Sequence, residues 1–307
     1  MTAYVLRRTA SLIVLAFCIS VLVFLIIRLI PGDPATAILG QSASDPALVA
    51  RLHHQLGLDR PIVAQYGHWI GGVLTGNLGY SYTQQQPVMS LIRANLVPTI
   101  ELTFAGLGLT VVFGFILGVA AALKRNSVFD TLIMGTALAF LSLPSFWLGL
   151  VLLVVFAVHF HVFAVVGGTG VSGLVLPAVT LGLGGIGFIG RFVRSSVVEA
   201  SRQKHVATAR AKGLSRRTVL LKHIVRNALL PVLTVVGLQL GSLLSGTVVV
   251  ETVFSRPGIG RLLVDSILQK DYLTVQAVVL LIAIIYAVVN AIVDLLYPVL
   301  DPRVAAR

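Results

Sequence analysis

Long apolar runs separated by shorter polar segments dominate the chain. Five of these runs contain no Asp, Glu, Lys or Arg. A transmembrane α-helix needs about 20 apolar residues to cross a hydrocarbon core about 30 Å thick, so four runs fit one helix each and the fifth fits two. Only α-helices and closed β-barrels can form all of their backbone hydrogen bonds inside a lipid bilayer. The runs lack the apolar–polar alternation of a membrane β-barrel, which leaves the α-helix. The pattern predicts six transmembrane α-helices, within residues 9–27, 102–123, 131–190, 227–250 and 272–293.

The longest run, 131–190, is expected to contain a break between its two helices. His159, His161 and the sequence Gly-Gly-Thr-Gly at 167–170 collect near the middle of this run. Glycine disfavours the interior of a helix, and the histidines are the most polar residues there. The break is therefore predicted near 159–173.

Composition excludes a soluble protein of this length. Hydrophobic residues make up 57% of the 307 positions and charged residues 11%, whereas soluble domains carry about 25% charged residues. The net charge is nevertheless +12, which is typical either of nucleic-acid binders or of membrane proteins with basic cytoplasmic loops. The apolar runs favour the second class, and no nucleic-acid partner is predicted. Cys18 is the single cysteine, which excludes an intrachain disulfide and a cysteine-based metal cage.

The positions of Lys and Arg predict the orientation in the membrane. With the N-terminus in the cytoplasm, 16 of the 23 basic residues lie on the cytoplasmic side and 6 lie outside, while Arg28 lies near a boundary. Cytoplasmic loops of membrane proteins carry an excess of Lys and Arg. Both termini are therefore predicted to be cytoplasmic.

The polar segment 31–98 is extracytoplasmic in this orientation and has the pattern of two amphipathic helices. Ser44 is predicted to cap the first helix and Gly57 to end it, and Pro61 is predicted to start the second. The interpretation is a small folded cap on the outer surface. An interfacial linker, anchored in the membrane by Tyr66 and Trp69, is the alternative.

The cytoplasmic segment 191–226 holds ten Lys and Arg residues against one acid, Glu199. One interpretation is a loop attracted to anionic lipid headgroups. The segment also has helix punctuation, because residues 208–212 favour a helix, Gly213 can end it and Ser215 can cap another. A short helix braced between two membrane helices is a rigid projection.

The sequence motifs of enzymes and cofactor sites are either absent from this chain or lie in surroundings that do not suit them. Residues 182–187 match G-x-G-x-x-G, but the match lies inside an apolar run with no strand before it. Close helix packing through small residues is the preferred interpretation, as it is for Gly114 with Gly118 and Gly237 with Gly241. The sequence contains no G-x-x-x-x-G-K-[ST], H-E-x-x-H or G-x-S-x-G motif. We therefore predict no catalytic and no metal site.

The centres of the runs also lack the ionisable residue that ion-coupled carriers usually place there. Weaker polar side chains occupy these positions and are candidates for lining a translocation pathway: Gln239, Ser242, Ser245 and Asn290. A transport protein of this kind would draw its energy from a partner.

Four parts of the sequence resemble one family. Segment 205–215, with 222–231 after it, resembles the EAA loop of ABC importer permeases in its peptide-transporter form. Segments 56–82, 143–148 and 248–260 resemble the extracytoplasmic segment, the third-span motif and the end of the fifth span of that group. The resemblance covers nearly the whole chain and is to the B-type dipeptide/oligopeptide permease subunit. The chain departs from the general EAA pattern at Ala207, where an acidic residue is common, and this departure is usual in the peptide-type subgroup. It also has Asn77 where an aspartate would be common and Arg256 where an aromatic residue would be.

This resemblance implies an all-α integral membrane protein of the type I ABC importer fold, located in a bacterial cell (inner) membrane. The implied organisation is an N-terminal tip and first transmembrane helix (1–30), an extracytoplasmic cap (31–98) and a permease domain of five helices (99–307) with its EAA-type loop at 191–231. The chain would be a transport subunit, not an enzyme, and would bind no cofactor.

The implied partners are a second homologous permease, two ATP-binding subunits that hold ATP and Mg, an extracytoplasmic substrate-binding protein and the lipid bilayer. Di- and oligopeptides are the implied cargo. The same machinery carrying nickel, haem or sugar stays an alternative, as does a self-contained secondary carrier, which the missing central charges disfavour.

Two sets of site residues follow from the resemblance. In the family the EAA loop forms a coupling helix that seats in a groove of the ATP-binding subunit, where small residues allow close docking and cations can pair with acidic groups. The implied coupling residues are Ala207, Ala209, Arg210, Ala211, Lys212, Gly213 and Leu214. The implied contacts with the binding protein are Trp69, Asn77, Tyr80, Tyr82 and Arg256.

Overall fold

The computed structural model describes residues 2–29, 35–36, 45–163 and 170–300. Helices dominate these residues, and one small antiparallel hairpin pairs β1 (Tyr80–Ser81) with β2 (Gln86–Pro87). The helices are α1 (Thr2–Leu29), α2 (Pro46–Leu56), α3 (Ile62–Leu74), α4 (Val88–Leu123), α5 (Val128–Ser142), α6 (Ser145–Leu152), α7 (Ser172–Ser201), α8 (Lys204–Ala211), α9 (Arg216–Thr218), α10 (Arg226–Val253), α11 (Ile259–Leu268) and α12 (Tyr272–Leu300). π-helical turns extend α6 over Leu153–His159 and join α9 to α10 over Val219–Val225.

The helices account for most of the predicted transmembrane spans. Within the described residues four of them, α4, α7, α10 from Pro231 and α12 up to Val293, are long and apolar enough to cross a membrane. The bent pair of α5 and α6 with its π-helical turn gives a fifth when it is taken as one span, and α1 contributes a shorter apolar stretch over Ala10–Leu25. The prediction of an all-α membrane protein is confirmed.

The fifth span is not straight, and its bend was not predicted. Its two halves meet at an angle of 105°, between Ser142 and Ser145. Leu143 is extended, with φ −83° and ψ 135°, and Pro144 caps the second half. Proline disfavours the helical conformation of the residue before it and cannot continue the hydrogen-bond ladder. The break predicted near 159–173 is also present, because this span ends at His159 and α7 begins at Ser172.

The chain divides into two compact units, and the first comprises residues 1–99 and 257–288. In it α2 ends as predicted, with Gly57 left-handed at φ 65°, and α3 begins after Pro61. The predicted cap of α2 was wrong. Asp45 holds that position and its carboxylate accepts from the Ala47 N–H at 2.9 Å, whereas Ser44 lies outside the described residues.

Aromatic side chains join α3 to α1 within this unit. The Phe24 ring, 2% exposed, lies 5.2 Å from the Tyr66 ring and 5.8 Å from the Trp69 ring. The Tyr66 hydroxyl is 2.8 Å from Ser20 Oγ. Tyr66 and Trp69 therefore contact the protein itself. A second cluster of buried side chains joins α4, α11 and α12: Val88, Leu91, Ile92, Ile259, Leu262, Ala277 and Val278.

The second unit comprises residues 100–256 and 289–307, and small residues bring its helices close together. A Cβ on Gly118 of α4 would lie 2.6 Å from the Gly190 carbonyl oxygen of α7, and one on Gly114 would lie 2.9 Å from Ile189. A Cβ on Gly187 would collide with the Ala137 carbonyl oxygen of α5. The glycines inside the apolar runs thus serve close helix packing, as the sequence predicts.

Candidate coupling site

The helix α8 lies at the tip of the basic segment and ends in a Schellman motif. Gly213 is left-handed, with φ 75°, and its N–H donates to the Arg210 carbonyl at 3.0 Å. The Leu214 N–H donates to the Ala209 carbonyl at 3.4 Å. These two bonds satisfy carbonyl groups that the helix end leaves unpaired. Ser215 then caps α9, with its Oγ accepting from the Thr218 N–H at 3.3 Å. The predicted punctuation at Gly213 and Ser215 is confirmed.

One face of α8 packs into the second unit and the other is exposed. Val206 and Ala209, 0% and 4% exposed, join a buried cluster with Val219 and Ile224 of the following π-helical turn. Ala209 thus helps to fix the helix in place, and its role in coupling stays a prediction. The other predicted coupling residues are all exposed: Ala207, Arg210, Ala211, Lys212, Gly213 and Leu214.

Polar contacts fasten the start of α8 to the start of α10. His205 Nε2 lies 2.9 Å from Asn227 Nδ2 and 3.1 Å from the His223 carbonyl oxygen. Asn227 Nδ2 also donates to the His223 carbonyl at 2.8 Å. The buried Val206 side of α8 packs on the following π-helical turn, and these polar contacts hold the start of α8 to the start of α10. The helix α8 is therefore a rigid projection.

An ion pair that the sequence analysis missed braces the helix that leads into α8. Arg194 of α7 donates from Nε and Nη2 to the two carboxylate oxygens of Asp130, each at 2.6 Å. Asp130 lies in the first turn of α5, is 4% exposed and also accepts from the Asn126 N–H at 3.0 Å. A bidentate arginine–carboxylate pair fixes orientation as well as distance. Two residues, Arg202 and Gln203, separate the end of α7 from α8.

The predicted binding-protein contacts fall into two groups. Asn77, Tyr80 and Tyr82 are exposed, and Asn77 Oδ1 accepts from the Gly79 N–H at 3.1 Å. Trp69 instead packs on Phe24 of α1. Arg256 is 9% exposed and donates from Nη2 to Glu101 Oε2 at 3.0 Å. Trp69 and Arg256 are therefore engaged inside their own units, which leaves the other three as surface residues.

The four predicted pathway residues lie in the second unit. Ser242 and Ser245 are exposed on α10, and Ser245 Oγ donates to the Gly241 carbonyl at 3.5 Å. The half-buried Gln239 side chain lies beside α7, 2.9 Å from the position of a Cβ on Gly185. Asn290 is half-buried on α12. Their role as pathway lining stays a prediction.

These features define a class of protein: a multi-helix membrane protein with a rigidly held helix on its basic cytoplasmic segment. The chain belongs to the family of binding-protein-dependent transport system inner membrane components, whose model matches residues 114–306, and the N-terminal model of the same kind of protein matches residues 1–103. It is thus the inner-membrane permease subunit of an ABC importer, a transport subunit and not an enzyme. Such a permease works with a partner permease, ATPase subunits and a binding protein.

Similar proteins include two glutathione transport permeases. The chain is 42% identical over 304 residues to the glutathione transport system permease protein GsiC of Salmonella typhimurium and 41% identical to that of Escherichia coli K12, with 99% of each chain covered. Its fold is similar to the MetNI methionine ABC transporter in inward facing conformations, with TM-score 0.59 and 18% identity over 69% of this chain and 97% of the other. An amino acid ABC transporter with histidines gives TM-score 0.55 at 13% identity over 68% and 93%.

Proposed function

We propose that this chain forms half of the translocation pathway of an ATP-driven importer and that α8 is its contact with an ATP-binding subunit. The observation that carries the proposal is the combination of a buried face at Val206 and Ala209 with an exposed face ending at Gly213. A helix fixed in this way moves only together with α7 and α10. Closure of two ATP-binding subunits, which hold the ATP and Mg, would therefore shift these membrane helices.

The proposed cargo is a short peptide of the glutathione type. The relatives named for glutathione transport match the chain over 99% of its length, including the extracytoplasmic segment. The proposed contact with the binding protein is the exposed set Asn77, Tyr80 and Tyr82. Tyr80 and Tyr82 pack edge to face with ring centroids 5.5 Å apart, and tyrosine offers large contact area at low conformational-entropy cost.

The test of this proposal starts from the assembled transporter. We expect the chain, purified from its native membrane, to bring with it a second permease and two ATPase subunits. In liposomes, this complex with its binding protein should take up labelled glutathione in an ATP-dependent manner, and unlabelled short peptides should compete. Uptake by the chain alone would instead establish a secondary carrier. Uptake of nickel, haem or sugar without peptide competition would overturn the cargo.

A substitution at Gly213 tests the role of α8. Gly213→Val is expected to lower ATP-dependent uptake by about tenfold or more, because β-branched residues strongly disfavour a positive φ and the last turn of α8 must then change. Membrane insertion and basal ATP hydrolysis should stay unchanged. Asparagine, which tolerates the left-handed conformation, is the matched control and should retain most of the uptake. Normal uptake by the Gly213→Val complex would contradict the coupling role.

A further inference from the structure

The extracytoplasmic hairpin is connected to the last membrane helix through one buried carboxylate. Ser81 of β1 is 0% exposed and donates from Oγ to Asp271 Oδ2 at 2.5 Å. The same oxygen of Ser81 accepts from the Gln84 N–H at 3.0 Å, so one hydroxyl also closes the turn of the hairpin. Because side chains alternate along a strand, Ser81 points inward while Tyr80 and Tyr82 are exposed. The hairpin therefore has a fixed inner side and an exposed aromatic outer side.

Asp271 is also the point where two helices meet. Its carboxylate caps α12, accepting from Thr274 Oγ1 at 2.7 Å and from the Thr274 N–H at 3.3 Å. Its own N–H donates to the Ser266 carbonyl at 2.9 Å and so closes the end of α11. Asp271 is 6% exposed and Thr274 0% exposed. One residue thus holds the end of α11, the start of α12 and the hairpin.

Packing around this point makes the connection stiff. A Cβ on Gly79, just before β1, would lie 3.3 Å from the Leu273 side chain of α12, and the Gly79 carbonyl accepts from the Val88 N–H at 3.1 Å. The Ile259 N–H at the start of α11 donates to Thr99 Oγ1 of α4 at 2.8 Å. Hydrogen bonds to a charged acceptor are the stronger ones in proteins, and buried ones are shielded from water. A displacement of the hairpin is therefore passed to the first turn of α12.

We propose that Asp271 is a positioning residue that transmits contact at the Tyr80–Tyr82 surface to the last membrane helix. This inference rests on the proposed function, because the partner at that surface is the substrate-binding protein. Docking of that protein moves the hairpin, and the Ser81–Asp271 hydrogen bond carries the movement to α12. The connection thereby links docking outside the membrane with the movement of a helix that crosses it.

Two substitutions break the connection in different ways. Ser81→Ala removes the hydrogen bond from the hairpin and leaves the Asp271 cap on α12. Asp271→Ser keeps a capping hydroxyl, since serine is among the favoured N-cap residues, but shortens the side chain so that it no longer reaches Ser81. Asp265→Asn is the matched control, because this α11 aspartate pairs with Arg261 at 3.4 Å on the same helix and is not bonded to the hairpin. The two test variants share only the loss of the Ser81–Asp271 bond.

The measurement is the stimulation of ATP hydrolysis by binding protein in the complete reconstituted complex, together with the affinity of the binding protein. Both test variants are expected to lose about tenfold in stimulation, with affinity and basal hydrolysis within about threefold of the unmodified complex. Asp265→Asn should keep full stimulation. A merely structural role would lower thermal stability and basal hydrolysis together.

The outcomes separate the two levels of the proposal. Full stimulation in both test variants overturns the transmitting role of Asp271 and leaves the importer function intact. Loss in Asp271→Ser but not in Ser81→Ala also overturns it, because the α12 cap would then be the cause. Absence of stimulation in the unmodified complex would overturn the proposed function and this inference with it.

Discussion

Replacing Arg194 with alanine is expected to lower both the stability of the protein and its coupling to ATP hydrolysis. The substitution leaves the Asp130 carboxylate, 4% exposed, without its bidentate partner. The Arg194 side chain is 29% exposed, so water partly screens the pair, and leaving the Asp130 carboxylate without its partner is expected to cost about 1–3 kcal/mol. The stability is measured by thermal unfolding of the purified complex in detergent, with the folded fraction monitored by size-exclusion chromatography.

The same variant tests whether the pair transmits force. Since α7 leads into α8 through two residues, we expect uptake per ATP hydrolysed to fall in the Arg194→Ala complex even at a temperature where it stays folded. Arg191→Ala is the matched control, because Arg191 lies three residues earlier on the same helix and is exposed. The double substitution Asp130→Asn with Arg194→Gln removes both charges and should recover part of the stability. Equal stability of Arg194→Ala and Arg191→Ala would contradict the brace.

Replacing Gly187 with alanine is the second change for which a large effect is expected. The new methyl group would collide with the Ala137 carbonyl oxygen, a backbone atom that moves only if α5 moves away from α7. Overpacking of this kind costs about 1–3 kcal/mol. The expected result is a lower unfolding temperature and less folded protein in the membrane.

Gly184→Ala provides the control for this prediction. Gly184 lies three residues earlier on α7, and a Cβ there would meet no described atom within 4 Å. The Gly184→Ala protein should unfold at the same temperature as the unmodified protein or slightly above it, because alanine favours a helix more than glycine does. Equal destabilisation by Gly187→Ala and Gly184→Ala would contradict this prediction, because the loss of stability would then come from replacing any glycine of α7 and not from the contact with α5.

The transmembrane helices and the end of α8 could be predicted from the sequence because their causes are local. An uncharged run of sufficient length in lipid has no alternative to a helix, since its backbone must satisfy its own hydrogen bonds. The left-handed turn at Gly213 involves only residues 209–214, all within six positions of one another. A glycine after a helix-forming segment is therefore enough to predict it.

Other features could not be predicted because their partners are distant in sequence. Asp130 and Arg194 are 64 positions apart, and Ser81 and Asp271 are 190 positions apart. As single residues they are two acids at helix starts, an arginine in a basic segment and a serine in a loop. Ala209 likewise looks like its neighbours Ala207 and Ala211, and only Val219 and Ile224 folding back onto it distinguish it.

The uncharged runs by themselves determined that this is a helical membrane protein. The Lys and Arg distribution predicted which way it is oriented and on which side its basic segment projects. The tertiary structure alone decided how that projection is held, by the buried face of α8 and by the Asp130–Arg194 pair before it. In the other unit it decided that Asp271 holds the hairpin. The physical reason is that insertion into lipid depends on the composition of one continuous segment, whereas transmission of force depends on which distant side chains the packed helices bring within hydrogen-bonding distance.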